Sequence, residues 1–198
     1  VLRLVREHPA WTVGTVWAAV MVLRLFLGGA VGMADNFDGH RLTCQLGVAP
    51  HPHLAPVWAF ITPRYDAYTW YGEACSAGGS GQPYYSTEYF PLLVAKVLTW
   101  CLHLPGALDL RVLGPLFAVA VGVAVGWTAH LLPGALWVRL LVASGLGFAT
   151  VDSAVAPYFV SPLSEPAALI GMLFLIPATL HLLRRDIVRA RDVALLAG

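Results

Sequence analysis

Charged residues are scarce in this chain. They make up 12% of its 198 residues, and the single lysine, Lys96, accompanies eleven arginines. A soluble domain of this length carries about twice that charge, so an ordinary soluble fold is excluded. The formal net charge of +1 offers no basic footprint for nucleic acid. Apolar residues account for 58% and the mean hydropathy is +0.70, which also excludes a disordered chain. We therefore expect one all-α, polytopic membrane helical domain.

Four segments are long and apolar enough to cross a bilayer as helices. A fifth segment, 89–104, has 16 residues and contains Lys96 and His103, so it is either a short span or an amphipathic helix on the membrane surface. A signal peptide is the alternative for the first segment, whose apolar region is long for that purpose and contains Arg24. The four predicted spans are 11–33, 112–132, 135–151 and 167–183.

The distribution of arginine predicts the topology, because basic residues collect on the cytoplasmic side. Arginines precede the first span and follow the last, so both ends are expected in the cytoplasm. This requires an even number of crossings and makes 89–104 a juxtamembrane helix. The sequence thus predicts a multi-pass plasma-membrane protein with a cytoplasmic N-terminus and an extracytoplasmic loop at 34–111. The chain starts at Val1 and ends in RDVALLAG, and we expect it to be a fragment of a longer protein.

The long loop is rich in tryptophan, tyrosine, proline and glycine. Tyrosine and tryptophan suit a membrane–water interface, and the proline and glycine residues rule out one continuous helix. Cys44 and Cys75 both fall in this loop, on the oxidising side. A disulfide between them would close a loop of about 32 residues and stabilise it by roughly 3–4 kcal/mol; two free thiols are the alternative. No cysteine and histidine spacing resembles a zinc site.

Several carboxylates are predicted to lie at the outer membrane edge, where acids are functional candidates. Asp35 and Asp38 follow the first span in DNFDGHR, Glu88 precedes the juxtamembrane helix, and Glu165 precedes the last span. Asp35 could instead cap a loop turn, and Asp38 followed by glycine is typical of a turn. Carboxylates gathered on one face suit general-base chemistry on a hydroxyl. Arg41 and Lys96 are candidates to face a phosphate.

Three short motifs then carry a resemblance: TEYFPLL at 87–93, ALDLRVLGPL at 107–116 and SPLSEP at 161–166. Together with an acid at the start of a long outer loop, they resemble the N-terminal part of GT-C fold glycosyltransferases. Members of this class use polyprenyl-phosphate sugars, and the mannosyl- and aminoarabinosyltransferases are the most similar. The resemblance implies a GT-C-like helical fold and an inverting transfer of a sugar to an acceptor hydroxyl on the extracytoplasmic face.

The resemblance also implies roles for individual residues. Asp38, or alternatively Asp35, is the expected general base, and Glu88 orients the acceptor or positions the base. Some members hold a divalent metal, Mg²⁺ or Mn²⁺, with their carboxylates, and others do not. The expected partners are a polyprenyl-phosphate sugar donor, a glycan, lipid or protein acceptor, and membrane lipid. The predicted substrate-binding residues are Arg41, His40, Lys96, Arg64, Tyr89 and Glu165.

Two other classes of function remain open from the sequence. A transporter or flippase of lipid-linked sugar should carry acids and helix breakers in the middle of its spans, whereas here Arg24 is the charge inside a predicted span. A non-catalytic membrane subunit would tolerate replacement of the loop carboxylates. Separate replacement of Asp38 and Asp35 by asparagine discriminates between these classes.

Overall fold

The computed structural model of the chain describes residues 7–27, 38–50, 64–67 and 86–184. These residues are mainly helical, and the prediction of an all-α membrane domain is confirmed. The α-helices are α1 (Pro9–Phe26), α2 (Asp38–Gln45), α3 (Tyr89–Cys101), α4 (Leu113–Leu131), α5 (Leu136–Val151) and α6 (Glu165–Leu183). Two 3-10 helices span Leu110–Val112 and Ala156–Val160, and three short strands are β1 (Val48–Pro50), β2 (Arg64–Ala67) and β3 (Leu108–Asp109).

Three segments of the described chain are long and apolar enough to span a membrane: Pro9–Phe26, Leu110–Leu131 and Glu165–Leu183. The segment that contains α4 is 67% buried, whereas the segments of α1 and α6 are 22% and 11% buried. Helix α5 has 16 residues and a length of about 24 Å, which is less than the roughly 30 Å of a hydrocarbon core. Four crossings therefore stay a prediction. Residues 28–33 of the first predicted span lie outside the described residues.

The chain divides into two compact units. The first comprises Val1–Met21, Ala118–Asp152 and Leu169–Gly198. Its helices approach each other at glycines. A Cβ atom on Gly122 would lie 2.8 Å from the Gly14 carbonyl oxygen and 2.8 Å from the Ala18 Cβ, and a Cβ on Gly147 would overlap the Trp17 indole. Small residues allow such close backbone approach, which drives helix association in membranes.

A polar contact in the first unit closes the end of α4. The Arg139 guanidinium donates hydrogen bonds to the carbonyl oxygens of Ala129 and His130, with distances from 2.7 to 2.9 Å. These carbonyl oxygens belong to the last turn of α4 and accept no hydrogen bond from an N–H group within the helix. A cation there also interacts favourably with the helix dipole. Arg139 therefore stabilises the turn between α4 and α5.

The second unit comprises Val22–Phe117 and Ser153–Ala168 and contains an antiparallel sheet of order β1-β2-β3. Val48 pairs with Ala67, and Tyr65 pairs with Leu108. The sequence analysis did not predict these strands. Each has two to four residues, too short for a recognisable alternation of apolar and polar residues. Pairing between segments distant in sequence defines them.

Helix α3 ends earlier than the predicted 89–104, at Cys101. The Leu104 N–H donates to the Thr99 carbonyl oxygen, the His103 N–H donates to the Trp100 carbonyl oxygen, and His103 has a φ of 53°. This is the Schellman motif, which terminates a helix through one left-handed residue. Glycine is the usual residue at that position, so a histidine gave no signal of the boundary.

Candidate functional site

In the second unit, a polar contact between segments distant in sequence joins Glu88 to the start of α6. The Glu88 Oε2 atom accepts a hydrogen bond of 2.9 Å from the Ala167 N–H. This amide belongs to the first turn of α6, where N–H groups have no partner within the helix. Glu88 makes no side-chain bond to its own helix; its N–H donates to the Ser86 Oγ atom at 3.2 Å. Glu88 thus caps a helix that lies 79 residues further along the chain.

Burial governs the charge state of Glu88, whose side chain has no exposed surface. Desolvation raises the pKa of Glu88 from 4.5 to about 9; the bond from Ala167 opposes this rise, and the charge of Glu165 adds to it. Burial favours the neutral acid because a carboxylate loses its hydration. At pH 7 Glu88 therefore holds a proton and does not serve as a base.

The second oxygen of this carboxyl group, Oε1, is buried and has no hydrogen-bond partner among the described residues. A buried polar atom without a partner costs about 1–3 kcal/mol, and such atoms are rare in folded proteins. With Oε2 accepting from Ala167, the proton is best placed on Oε1. This leaves a buried neutral O–H group without an acceptor among the described residues, at the start of α3.

Two predicted substrate-binding residues flank this group. Glu165 is the first residue of α6; its side chain is exposed and its Oε2 atom accepts a long hydrogen bond of 3.4 Å from the Ser164 Oγ atom. Tyr89 is half-buried and its ring contacts Phe90 edge to face, with 6.1 Å between the ring centroids. Glu165 lies two residues before the Ala167 amide that bonds Glu88, and its charge contributes to the raised pKa of Glu88. The shared role of the two acids in a substrate site stays a prediction.

Lys96 occupies a structural position. Its Nζ atom donates a hydrogen bond of 2.5 Å to the carbonyl oxygen of Leu46, directly after the last residue of α2. Gly47 follows with a φ of 66°, in the left-handed conformation that ends many helices. The ammonium group therefore caps the C-terminal end of α2 and ties that helix to α3. One of the three N–H groups of the Lys96 ammonium is therefore bonded to Leu46 and is not available to a phosphate.

The other predicted site residues are described only in part. Asp38, His40 and Arg41 lie in α2 and Arg64 lies in β2, and the structure describes their backbone alone. Asp35 lies outside the described residues. The convergence of Asp38 with Glu88, and the choice between Asp38 and Asp35 as general base, stay predictions.

A buried polar cluster that the sequence analysis missed links α3 to β3. The Thr99 Oγ1 atom donates to the Ala95 carbonyl oxygen at 2.7 Å and accepts from the Asp109 N–H at 3.0 Å. The buried Asp109 carboxylate accepts three bonds from the Arg111 guanidinium: Nε to Oδ1 at 2.9 Å, Nε to Oδ2 at 3.1 Å and Nη2 to Oδ2 at 2.5 Å. Asp109 also accepts from the Arg111 N–H and caps the 3-10 helix. An aspartate directly before an apolar run is the cap signal that could have identified it.

Metal and disulfide sites were also predicted. Among the side chains that the structure describes, no three His, Cys, Asp or Glu residues are grouped so as to hold a metal ion. The divalent metal, Mg²⁺ or Mn²⁺, that the resemblance left open therefore finds no ligand set among them. Cys101 is free and exposed. Cys75 lies outside the described residues and Cys44 is described only by its backbone in α2, so the Cys44–Cys75 disulfide stays a prediction.

Comparison with known proteins gives one match. The family model described as the YfdI N-terminal transmembrane domain matches residues 6–197. No curated protein and no solved structure matches the chain. The family assignment suggested by the three motifs, GT-C fold glycosyltransferases, is wrong, because the matching family is a different one. Motifs of six to ten residues recur by chance among apolar sequences, whereas the match extends over nearly the whole chain.

Proposed function

We propose that this chain, which belongs to the YfdI N-terminal transmembrane domain family, is the membrane domain of a glycosyltransferase. The proposed reaction moves a sugar from a polyprenyl-phosphate donor to the hydroxyl of a glycan, lipid or protein acceptor. The proposed site lies at the extracytoplasmic edge of the plasma membrane, with the N-terminus of the chain in the cytoplasm. Membrane residence follows from the family and the apolar helices.

One observation carries this proposal: the buried, neutral carboxyl group of Glu88, with Oε1 unpaired among the described residues. It lies at the start of the apolar helix α6, through its bond to Ala167. A donor lipid with a phosphate headgroup would present oxygen acceptors at the same level. A neutral carboxyl group does not repel an anion such as a phosphate, whereas an ionised carboxylate would repel it.

The proposed reaction removes one proton from the acceptor and releases one leaving group from the donor. Asp38 or Asp35 removes the proton from the acceptor hydroxyl as the oxygen attacks the anomeric carbon with inversion. The bond between that carbon and the phosphate oxygen breaks, and the lipid phosphate leaves with the electron pair. Glu88 orients the acceptor or positions the base from its buried site, without losing its proton. Arg41 and Arg64 would balance the phosphate charge, as guanidinium groups do, and no step is assigned to a metal.

A transporter is supported less well by the described residues. Arg24 lies in the last turn of α1 and is exposed, and Glu165 is the first residue of α6. These charges are therefore at helix ends, whereas transporters hold ionisable residues and helix breaks near the bilayer midplane. Pro177 is the break within α6, and no acid accompanies it in that helix after Glu165.

The test is sugar transfer from a polyprenyl-phosphate donor, measured with the full-length protein in membranes. We expect Asp38→Asn or Asp35→Asn to lower the rate about 10²- to 10⁴-fold, the usual contribution of a general base. Glu88→Gln should retain more activity than Glu88→Ala, because the amide keeps both the acceptor for Ala167 and a donor in place of Oε1.

Two results would overturn the proposal. One is full activity of both asparagine variants, which would remove the general base. The other is the absence of transfer by the wild-type protein with every polyprenyl-phosphate sugar offered, which would favour a non-catalytic subunit.

A further inference from the structure

Helix α3 exposes one continuous apolar face. Phe90, Leu93, Val94, Val97 and Trp100 are exposed, from 39% for Leu93 to 79% for Trp100. Their spacing of three or four residues places them on one side of a helix. The opposite side, with Leu92, Ala95 and Thr99, is buried and is joined to β3 through Thr99. Within the described residues, no element covers the exposed face.

The hydrogen bond between Glu88 and Ala167 sets the level of α3 relative to the membrane. Ala167 is the third residue of α6, and the apolar stretch of that candidate span begins there. The start of α3 therefore lies at the polar end of this candidate span.

Length and charge decide what covers the face. Thirteen residues extend about 20 Å, which is too short to cross a bilayer. The lone cation of α3, Lys96, donates to Leu46 and lies outside the exposed set, so the face carries no charge. Phe90 and Trp100, at the two ends of the face, are aromatic side chains of the kind that anchor in the interfacial region.

We propose that α3 lies in the plane of the membrane interface, with Phe90, Leu93, Val94, Val97 and Trp100 inserted among lipid acyl chains. The occupant of this face is bilayer lipid and not a protein partner. The bond from Glu88 to Ala167 fixes one end of α3 at the membrane edge, and Thr99 fixes its inner side to β3. The proposal is independent of any enzymatic activity.

The experiment places a polarity-sensitive fluorophore on the face in proteoliposomes that contain lipids with a nitroxide at a shallow or a deep acyl position. Leu93→Cys and Val97→Cys are labelled in a Cys101→Ser background, and the label taken up by that parent protein is subtracted. Leu175→Cys, on an exposed mid-helix position of α6, is the deep reference. Ser153→Cys, exposed between α5 and α6, is the water-exposed reference.

We expect labels at 93 and 97 to be quenched at least threefold more by the shallow nitroxide than by the deep one, and to similar extents. The reference at 175 should show the opposite preference, and that at 153 little quenching. Three results overturn the proposal: weak quenching at both positions, which places the face in water; weak quenching with blue-shifted emission, which indicates a protein cover; and a depth that increases steeply from 93 to 97, which indicates an inserted helix.

Discussion

Different interactions stabilise the interior of each of the two compact units. In the first, helices meet at Gly14, Gly122 and Gly147, where a single added methyl group would collide with a carbonyl, an alanine or an indole. In the second, short elements are joined by hydrogen bonds across long sequence separations, from Ala167 to Glu88 and from Lys96 to Leu46. Long apolar helices associate through close packing of their surfaces. The short elements bury too little surface to associate in that way, and hydrogen bonds join them instead.

This difference indicates where function can lie. Tight apolar contact leaves no polar group available to a ligand and tolerates little change in shape. The polar joints of the second unit hold side chains with unused hydrogen-bonding capacity, as the unpaired Oε1 of Glu88 shows. Substitutions in the two units should therefore fail in different ways: by steric overlap in the first unit and by loss of specific acceptors or donors in the second.

The largest expected effect is steric. Gly122→Val should destabilise the protein by about 3 kcal/mol or more, because its Cβ would lie 2.8 Å from both the Gly14 carbonyl oxygen and the Ala18 Cβ. The measurement is the apparent Tm of the detergent-solubilised protein, followed by size-exclusion chromatography after heating. Gly145→Val is the control, since a Cβ there meets nothing within 4 Å. Equal effects at both positions would contradict the close helix contact.

The next effect tests the capping role of Glu88. Glu88→Ala should lower the free energy of unfolding by about 2 kcal/mol, because it leaves the Ala167 N–H without an acceptor. Glu88→Gln keeps that acceptor and should cost less than half as much. The comparison is made by thermal unfolding of the two variants at pH 5, where the wild-type residue is fully protonated. Equal stability of the alanine and glutamine variants would contradict the capping of α6 by Glu88.

The dependence of stability on pH follows from the raised pKa of Glu88, about 9 in the folded protein. Below about pH 4.5 the folded and unfolded states both hold the proton. Between that pH and about 9 the unfolded state binds fewer protons, so the free energy of unfolding falls as pH rises, by at most about 1.4 kcal/mol per pH unit. Above pH 9 this contribution is constant.

Glu88→Gln removes this group from the titration. The difference in apparent Tm between the wild type and the glutamine variant should therefore shift against the wild type from pH 5 to pH 8. Glu165→Gln should keep the wild-type slope, since Glu165 affects the pKa of Glu88 less than burial does. Parallel pH profiles of the wild type and Glu88→Gln would show that Glu88 is ionised.

The smallest effect concerns the joint between α2 and α3. Lys96→Met keeps the apolar stem but loses the bond to the Leu46 carbonyl oxygen, at an expected cost of about 1 kcal/mol. Lys96→Arg retains a cationic donor and should recover most of this loss. Increased proteolysis within 38–50 in the methionine variant, with cleavage elsewhere unchanged, is the diagnostic measurement.

The positions of the long helices could be predicted from apolar runs, because a membrane span needs about 20 such residues whatever its neighbours are. Glu88 could be selected from the sequence as a functional candidate, but its protonation state and its hydrogen-bond partner could not be predicted. The sequence suggested a carboxylate at the start of the juxtamembrane helix, whereas burial and Ala167 make it a neutral group that caps α6. Lys96 was selected for its charge, and only the fold showed that it caps α2.

Composition and hydropathy alone determined that this is a helical membrane domain, since transfer of a helix into lipid depends on its own side chains. The family match fixed its relationship to known proteins. Tertiary structure alone decided that Glu88 meets Ala167 across 79 residues, that Thr99 and Asp109 join α3 to β3, and that three strands pair. Hydrogen-bond partners and local solvation arise when distant segments come together, and no short window of residues records them.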